Sequence, residues 1–175
     1  MSHNYPSSER IRDLFNYDPD TGVLTWKMAS SVYGERFVGK VAGSTNREGY
    51  RTVKIDRCKY QVSWVVWIYV TGKEPENEID HKNLNRGDDR FDNLRESTRS
   101  QNCSNKSVFF KKNRYGFRGV KKNWNKFSAV ICVDQKEHCL GVYDTPEDAA
   151  RAYDVAAIER FGQFARVNFP EPLND

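Results

Sequence analysis

No C-x-x-C pair occurs among the four cysteines, Cys58, Cys103, Cys132 and Cys139. Neither a zinc knuckle nor a disulfide framework is therefore indicated, and free thiols are expected. Long apolar runs are missing too. The longest, VSWVVWIYV from Val62 to Val70, falls far short of the roughly 20 residues that span a bilayer, so no membrane partner is expected. MSHNYPSSER lacks the charged-then-apolar layout of a signal peptide, which makes the cytoplasm the expected setting. There is no low-complexity tract and no internal repeat. One absence is local: between Glu96 and Asp134 there is no acid, while Arg99, Lys106, Lys111, Lys112, Arg114, Arg118, Lys121, Lys122 and Lys126 all fall inside. A net charge of +4 concentrated in this way suits a polyanion such as nucleic acid. On charge alone, a solvated lysine-rich linker is an equal reading.

What is present is enough to fold. Hydrophobic residues make up 38% and aromatics 13% of 175 residues, a length that allows one domain or two small ones. SSERIRDLF reads as a short helix capped by Ser7 or Ser8, with Ile11, Leu14 and Phe15 on one face. YDPDTGVLTW gives a turn feeding a strand through Val23, Leu24 and Trp26. GKVAGSTNREGYRTVKIDRCKYQV looks like a meander that turns at Asp56-Arg57. Tyr60 to Val70 is apolar nearly all round and fits a buried strand or a buried helix. Its length and the Thr71-Gly72 stop favour the helix.

The stretch EIDHKNLNRGDDRFDNLRESTRSQN, residues 78–102, carries the chemistry. Asp80 is a hard oxygen ligand, and His81 accepts a proton near neutrality. NLNRGDDRFD is not an EF-hand loop, because Gly87 comes one place late and no Glu closes it. NLRE reads as a second strand, and Thr98 with Gln101 forms a T-x-x-Q capping box that opens a helix bearing Asn102. Neighbouring strand residues face opposite ways, so Asp80 and His81 can share a phosphate only if the strand ends or twists there.

These residues, in D-H, N-L-R and T-x-x-x-N at this spacing, resemble the HNH endonucleases of phage and intron type. The similarity takes in YDPDTGVLTW, GYRTVKI and WIYVTGKEPENEIDH, over roughly residues 7–106. It implies two strands and a helix around one divalent ion, Mg²⁺ or Mn²⁺, held by Asp80 and Asn102. His81 would activate the attacking water, and Asn93 would pin the imidazole. Ser63 stands where relatives commonly carry His, and Asp89 where many have Asn. The first departure leaves open an alternative, a DNA-binding regulator with an inactive HNH domain.

Downstream, FRGV, W-N-K-F, LGVYDTPEDAARAYDVAA and VNFP resemble the DNA-binding domain of plant ethylene-response transcription factors. The residues themselves give three β-type runs divided at Asn123–Asn125 and Asp134–Lys136. A helix follows, with Thr145 as cap and Pro146 at its first position, ending at Gly162. The resemblance implies a sheet lying in the major groove, with Arg118, Lys121, Trp124 and Lys126 facing DNA and Gly119 allowing close approach. The linker before it, Arg114 included, is rich enough in Lys and Arg to track the phosphate backbone, with a plain tether as the other reading. Val130, Cys132, Glu137 and Cys139 depart from the plant pattern. Phe127 reads as sheet packing.

The expected fold class is α+β, with a ββα-metal nuclease domain at 1–106, a basic linker at 107–115 and the sheet-and-helix domain at 116–175. The expected function is site-directed hydrolysis of double-stranded DNA by a monomer or homodimer of phage or mobile-element origin in a bacterial cytoplasm. One such centre cuts one strand, so nicking is expected.

Overall fold

The computed structural model of the chain describes residues 5–28, 35–105, 115–134 and 136–170. Arg114 and the rest of the basic stretch at 106–114 lie outside them. The chain divides into two compact units, 1–96 and 97–175, both mixing helix and antiparallel sheet, as the α+β expectation requires. No helix among the described residues is long and apolar enough to cross a membrane.

In the first unit Ser7 caps α1 (Ser8–Leu14), its hydroxyl accepting from Arg10 N at 3.2 Å. Phe15 does not extend this helix. It opens β1 (Phe15–Asp18), which pairs with β2 (Val23–Trp26) across a turn. The meander follows as β3 (Ser44–Thr45), β4 (Arg51–Ile55) and β5 (Cys58–Gln61), in that order across one sheet. Its tight turn takes positive φ at both Asp56 and Arg57, the pairing that matches the twist of a two-residue hairpin. α2 is Val62–Thr71, and Gly72 ends it in the left-handed region at φ 76°. Tyr60 and Gln61 belong to β5, so the apolar run is helix only from Val62. It is apolar all round because it is enclosed: Val62, Val65, Val66 and Ile68 are buried with Ile11, Leu14, Leu24 and Ile55. Ser63 is buried on the same helix. β6 (Glu78–His81) and β7 (Leu94–Ser97) then form a two-stranded sheet.

The second unit opens with α3 (Arg99–Asn105), where the capping box is complete: Gln101 N donates to Thr98 Oγ at 3.3 Å and Thr98 N donates to Gln101 Oε1 at 2.8 Å. Asn102 lies in this helix, its N–H bonded to Thr98 O at 2.9 Å. β8 (Val120–Asn123), β9 (Lys126–Val133) and β10 (Lys136–Tyr143) form an antiparallel sheet in the order β10-β9-β8. α4 (Pro146–Phe161) packs on it, capped by Thr145. Ala149, Ala150 and Ala157 are buried there, and their small side chains let Tyr153 and Phe161 reach the sheet. The closing VNFP segment is a latch. Asn168 N and Phe169 N donate to the Asp154 carboxylate at 2.7 and 2.9 Å, while the Asn168 carboxamide ties down the backbone of Arg118.

Gly119 sits at φ +73°, and a Cβ there would overlap the Tyr153 ring. Its missing side chain serves the approach of helix to sheet. Gly119→Ala is expected to destabilise the protein by about 2 kcal/mol or more, from overpacking and left-handed strain together, as read by denaturant unfolding of the second unit.

Candidate active site

β6 ends on His81, so the strand stops directly after Asp80 and the imidazole. Asp80 and His81 are both buried, at 6% and 4% exposure. Asp80 Oδ2 receives Arg95 of β7 twice, from Nε at 3.0 Å and from a terminal nitrogen at 2.9 Å. His81 Nε2 lies 3.1 Å from Asp89 Oδ1. The Tyr50 ring stands 6.1 Å from the imidazole, centroid to centroid, and the Arg86 guanidinium lies over that tyrosine at 4.7 Å.

The expected bond from Asn93 to the imidazole is replaced by the Asp89 contact. Asn93 instead closes the loop that joins the two strands. Its Oδ1 accepts from Asn83 N at 3.0 Å, its Nδ2 donates to Asp88 O at 2.8 Å, and its main-chain O accepts from Lys82 N at 2.9 Å. The physical reason is proximity: Asn93 ends a 3-10 turn directly before β7, within reach of the chain leaving β6, and its carboxamide spans the loop at its neck. Further side chains brace the interior, with Asn85 N on Asn83 Oδ1 at 2.9 Å and Gly87 N on Asn85 Oδ1 at 3.1 Å, the Asx turns that such residues favour.

Asp88 receives Arg90 and Asn83. The Arg90 hydrogen bond, helped by that from Asn83, holds its carboxyl well below the usual carboxylate range. A depressed folded pKa contributes stability above the unfolded value and loses it as pH falls through the folded one. The clamp therefore outlasts mild acid.

The loop also rests on the β1–β2 hairpin. The Tyr17 hydroxyl accepts from Phe91 N at 2.8 Å and donates to Asp89 O at 3.3 Å, and burial pushes its phenol up. Gly22 lies so close that a Cβ would stand 2.6 Å from the Asp89 carbonyl carbon.

On the outer face of the second unit's sheet, Trp124 is 93% exposed at the β8–β9 turn. Lys121 Nζ meets Glu137 at 2.5 Å and Lys126 Nζ meets Asp144 at 2.9 Å, all four exposed. The register sets Lys121 opposite Ser128 and Glu137 opposite Cys132, and both cysteines of the sheet are exposed free thiols. Phe127 packs as expected, edge-on to Tyr115. Arg118 does not face outward: it is 6% exposed and lies against Tyr153. Its backbone is held by the Asn168 latch. The Arg118 side chain is therefore not placed to meet DNA as the resemblance implied, and the space beside the Gly119 Cα is taken by Tyr153.

The residues that sequence reasoning passed over are Arg95, Tyr50 and Asp89. Arg95 was visible as the last letter of N-L-R, and Asp89 as a departure from Asn. Tyr50 carries no sequence signal, since only the meander's fold brings it to the site.

The family profile described as HNH endonuclease matches residues 60–103, from β5 into α3. HNH endonuclease L560 of Acanthamoeba polyphaga mimivirus is 31% identical over 133 residues, covering 75% of this chain and 68% of its own length. The chain belongs to the HNH endonuclease family. Ethylene-responsive transcription factor 3 of Nicotiana tabacum is 49% identical over 59 residues, 32% of this chain, and the matched part is 26% of that protein. ERF084 of Arabidopsis thaliana is 47% identical over 60 residues, 33% of this chain and 23% of its own. The chain thus spans about a quarter of the length of these plant relatives. A solved structure described as DNA binding and cleavage by the HNH homing endonuclease I-HmuI aligns over 84% of both chains at 19% identity, with a TM-score of 0.39.

Proposed function

We propose that the protein is a metal-dependent endonuclease that nicks double-stranded DNA at sites chosen by its C-terminal sheet. The observation that carries this reading is a buried acid and imidazole on consecutive residues at the end of a strand, a pair that a hydrophobic core has no use for. Asp80 offers one carboxylate, and among the described residues no three His, Cys, Asp or Glu side chains gather. One carboxylate with the Asn102 carboxamide is the sparse hard-oxygen set that Mg²⁺ or Mn²⁺ accepts, the remaining positions going to water and phosphate. Such an ion supplies Lewis-acid stabilisation of charge at the scissile phosphate.

The chain's own residues do the rest. Asp80 and Asn102 are the residues we assign to the ion. His81 takes the proton of the attacking water. Asn93 holds the loop that fixes the distance between the strands. Arg95, against Asp80, orients that carboxylate and offsets its charge.

Supercoiled plasmid incubated with purified protein and Mg²⁺ tests the reading. Conversion to open circles that chelator abolishes is expected. Binding without relaxation would instead support a DNA-binding regulator.

For placement, the exposed Trp124, Lys121 and Lys126 are the groups we assign to DNA, with Arg114 on the backbone. The plant relatives' target sequence does not carry over, because Val130, Cys132, Glu137 and Cys139 change the reading face. Lys121→Ala with Lys126→Ala is expected to lower the slope of log K against log salt by about two, one per phosphate contact. Fluorescence anisotropy over a salt series reads this, and an unchanged slope would remove both lysines from the interface.

A further inference from the structure

We propose that Asp89 is a positioning residue for His81, fixing the imidazole tautomer, and that the β1–β2 hairpin is the buttress that sets Asp89. This deepens the nuclease reading and rests on it for the role of His81. Asp89 Oδ1 stands 3.1 Å from His81 Nε2, and the two side chains are 1% and 4% exposed. A carboxylate oxygen accepts, so Nε2 carries the hydrogen in this contact.

The second oxygen of Asp89, Oδ2, is buried with no hydrogen-bond partner. A buried acid satisfied on one side alone is costly in a folded chain. Packing gives no reason to keep it there, whereas an imidazole that must be held in one tautomer does.

The placement is over-determined from outside the loop. The Tyr17 hydroxyl bonds the main chain on both sides of Arg90, at Asp89 O and Phe91 N. Gly22, at φ +70°, presents a bare Cα to the Asp89–Arg90 peptide. The hairpin therefore serves the site while contributing no group to the reaction. An Asn at position 89 preserves an acceptor oxygen of the same reach, which makes Asp89→Asn the conservative variant.

The experiment pairs ¹⁵N NMR of the full chain, without metal or DNA, with single-turnover cleavage. Only three histidines are present, so His81→Ala assigns the resonances. Wild type is expected as the Nε2–H tautomer. Asp89→Asn should keep that tautomer and retain cleavage within about tenfold. Asp89→Leu should mix the tautomers and lower kcat about 100-fold, with KM for DNA within twofold. Tyr17→Phe, which keeps the ring and so the fold, should give a smaller shift in the same direction. The proposal is overturned if Asp89→Asn and Asp89→Leu lose cleavage alike while the tautomer stays put, or if folded Asp89→Leu matches wild type. Should Asp89→Leu fail to fold, the tautomers in Asp89→Asn and Tyr17→Phe decide: a mixed tautomer in the former, or none of the expected shift in the latter, overturns it. If wild type does not cleave at all, the nuclease reading fails, and the NMR arm still decides whether Asp89 sets the imidazole.

Discussion

His81→Ala is expected to lower metal-dependent plasmid relaxation by about 10² to 10⁴, the usual worth of a positioned general base. The structure adds a second consequence that sequence alone does not suggest. His81 is the hydrogen-bond partner of a carboxyl that is 1% exposed and whose other oxygen already lacks one. Removing the imidazole leaves Asp89 buried alone, a change of the kind that destabilises by about 3 kcal/mol. An inactive His81→Ala therefore has two readings, lost chemistry and lost fold. The double variant His81→Ala with Asp89→Asn separates them. A neutral carboxamide is less costly to strand than a charge, so the double variant should recover much of the melting temperature and none of the cleavage. Recovery of both would assign the whole effect to folding and remove His81 from the chemistry.

Legibility differed sharply along the chain, and the dividing line is physical. The second unit's sheet and helix are written in local signals: strand runs broken by Asn and Asp turns, then Thr145, Pro146 and two acids opening α4. Each acts within a few residues, and each is found within a residue of where the sequence puts it, Asn123 and Lys136 being the strand ends beside their turns. The T-x-x-Q box is equally local and equally faithful. What could not be read depends on which surfaces meet. Gly119 has the same sequence signature whether a DNA backbone or the Tyr153 ring approaches it, and only the packed helix decides. Arg118 follows Gly119, since the latch that fixes its backbone comes from Asn168, 50 residues away. The same holds at the site. Asn93 and Asp89 are both short polar residues within reach of His81 along the chain, and the division of labour between them is set by Tyr17 and Gly22 from a distant hairpin. Phe15, apolar on the expected helical face, became a strand residue because β2 was there to pair with it. The family motif pointed to the stretch that carries Asp80 and His81. The tertiary fold assigned the supporting roles.

Asp80→Ala is the other variant with a large expected effect, and it differs in kind from the loss of His81. It removes the carboxylate proposed to hold the ion and the acceptor that Arg95 contacts through two nitrogens, with the pair only 7% and 12% exposed. The expected result is cleavage reduced at least 10²-fold, together with a stability loss of about 3 kcal/mol from breaking a largely buried ion pair. Asp80→Asn isolates the first effect. Its carboxamide keeps the shape and an oxygen for Arg95 but offers a cation far less charge. It should melt close to wild type, lose cleavage at standard Mg²⁺, and regain part of it as Mg²⁺ is raised, because a weakened site fills by mass action. His81→Ala should show no such recovery at any Mg²⁺ concentration, since the group it lacks is a base and an ion does not replace it. Titrating Mg²⁺ against the initial relaxation rate of the two variants distinguishes them. Equal insensitivity to the ion in both would mean that Asp80 serves Arg95 and the fold rather than the metal, and the assignment of the ion to this carboxylate would fall.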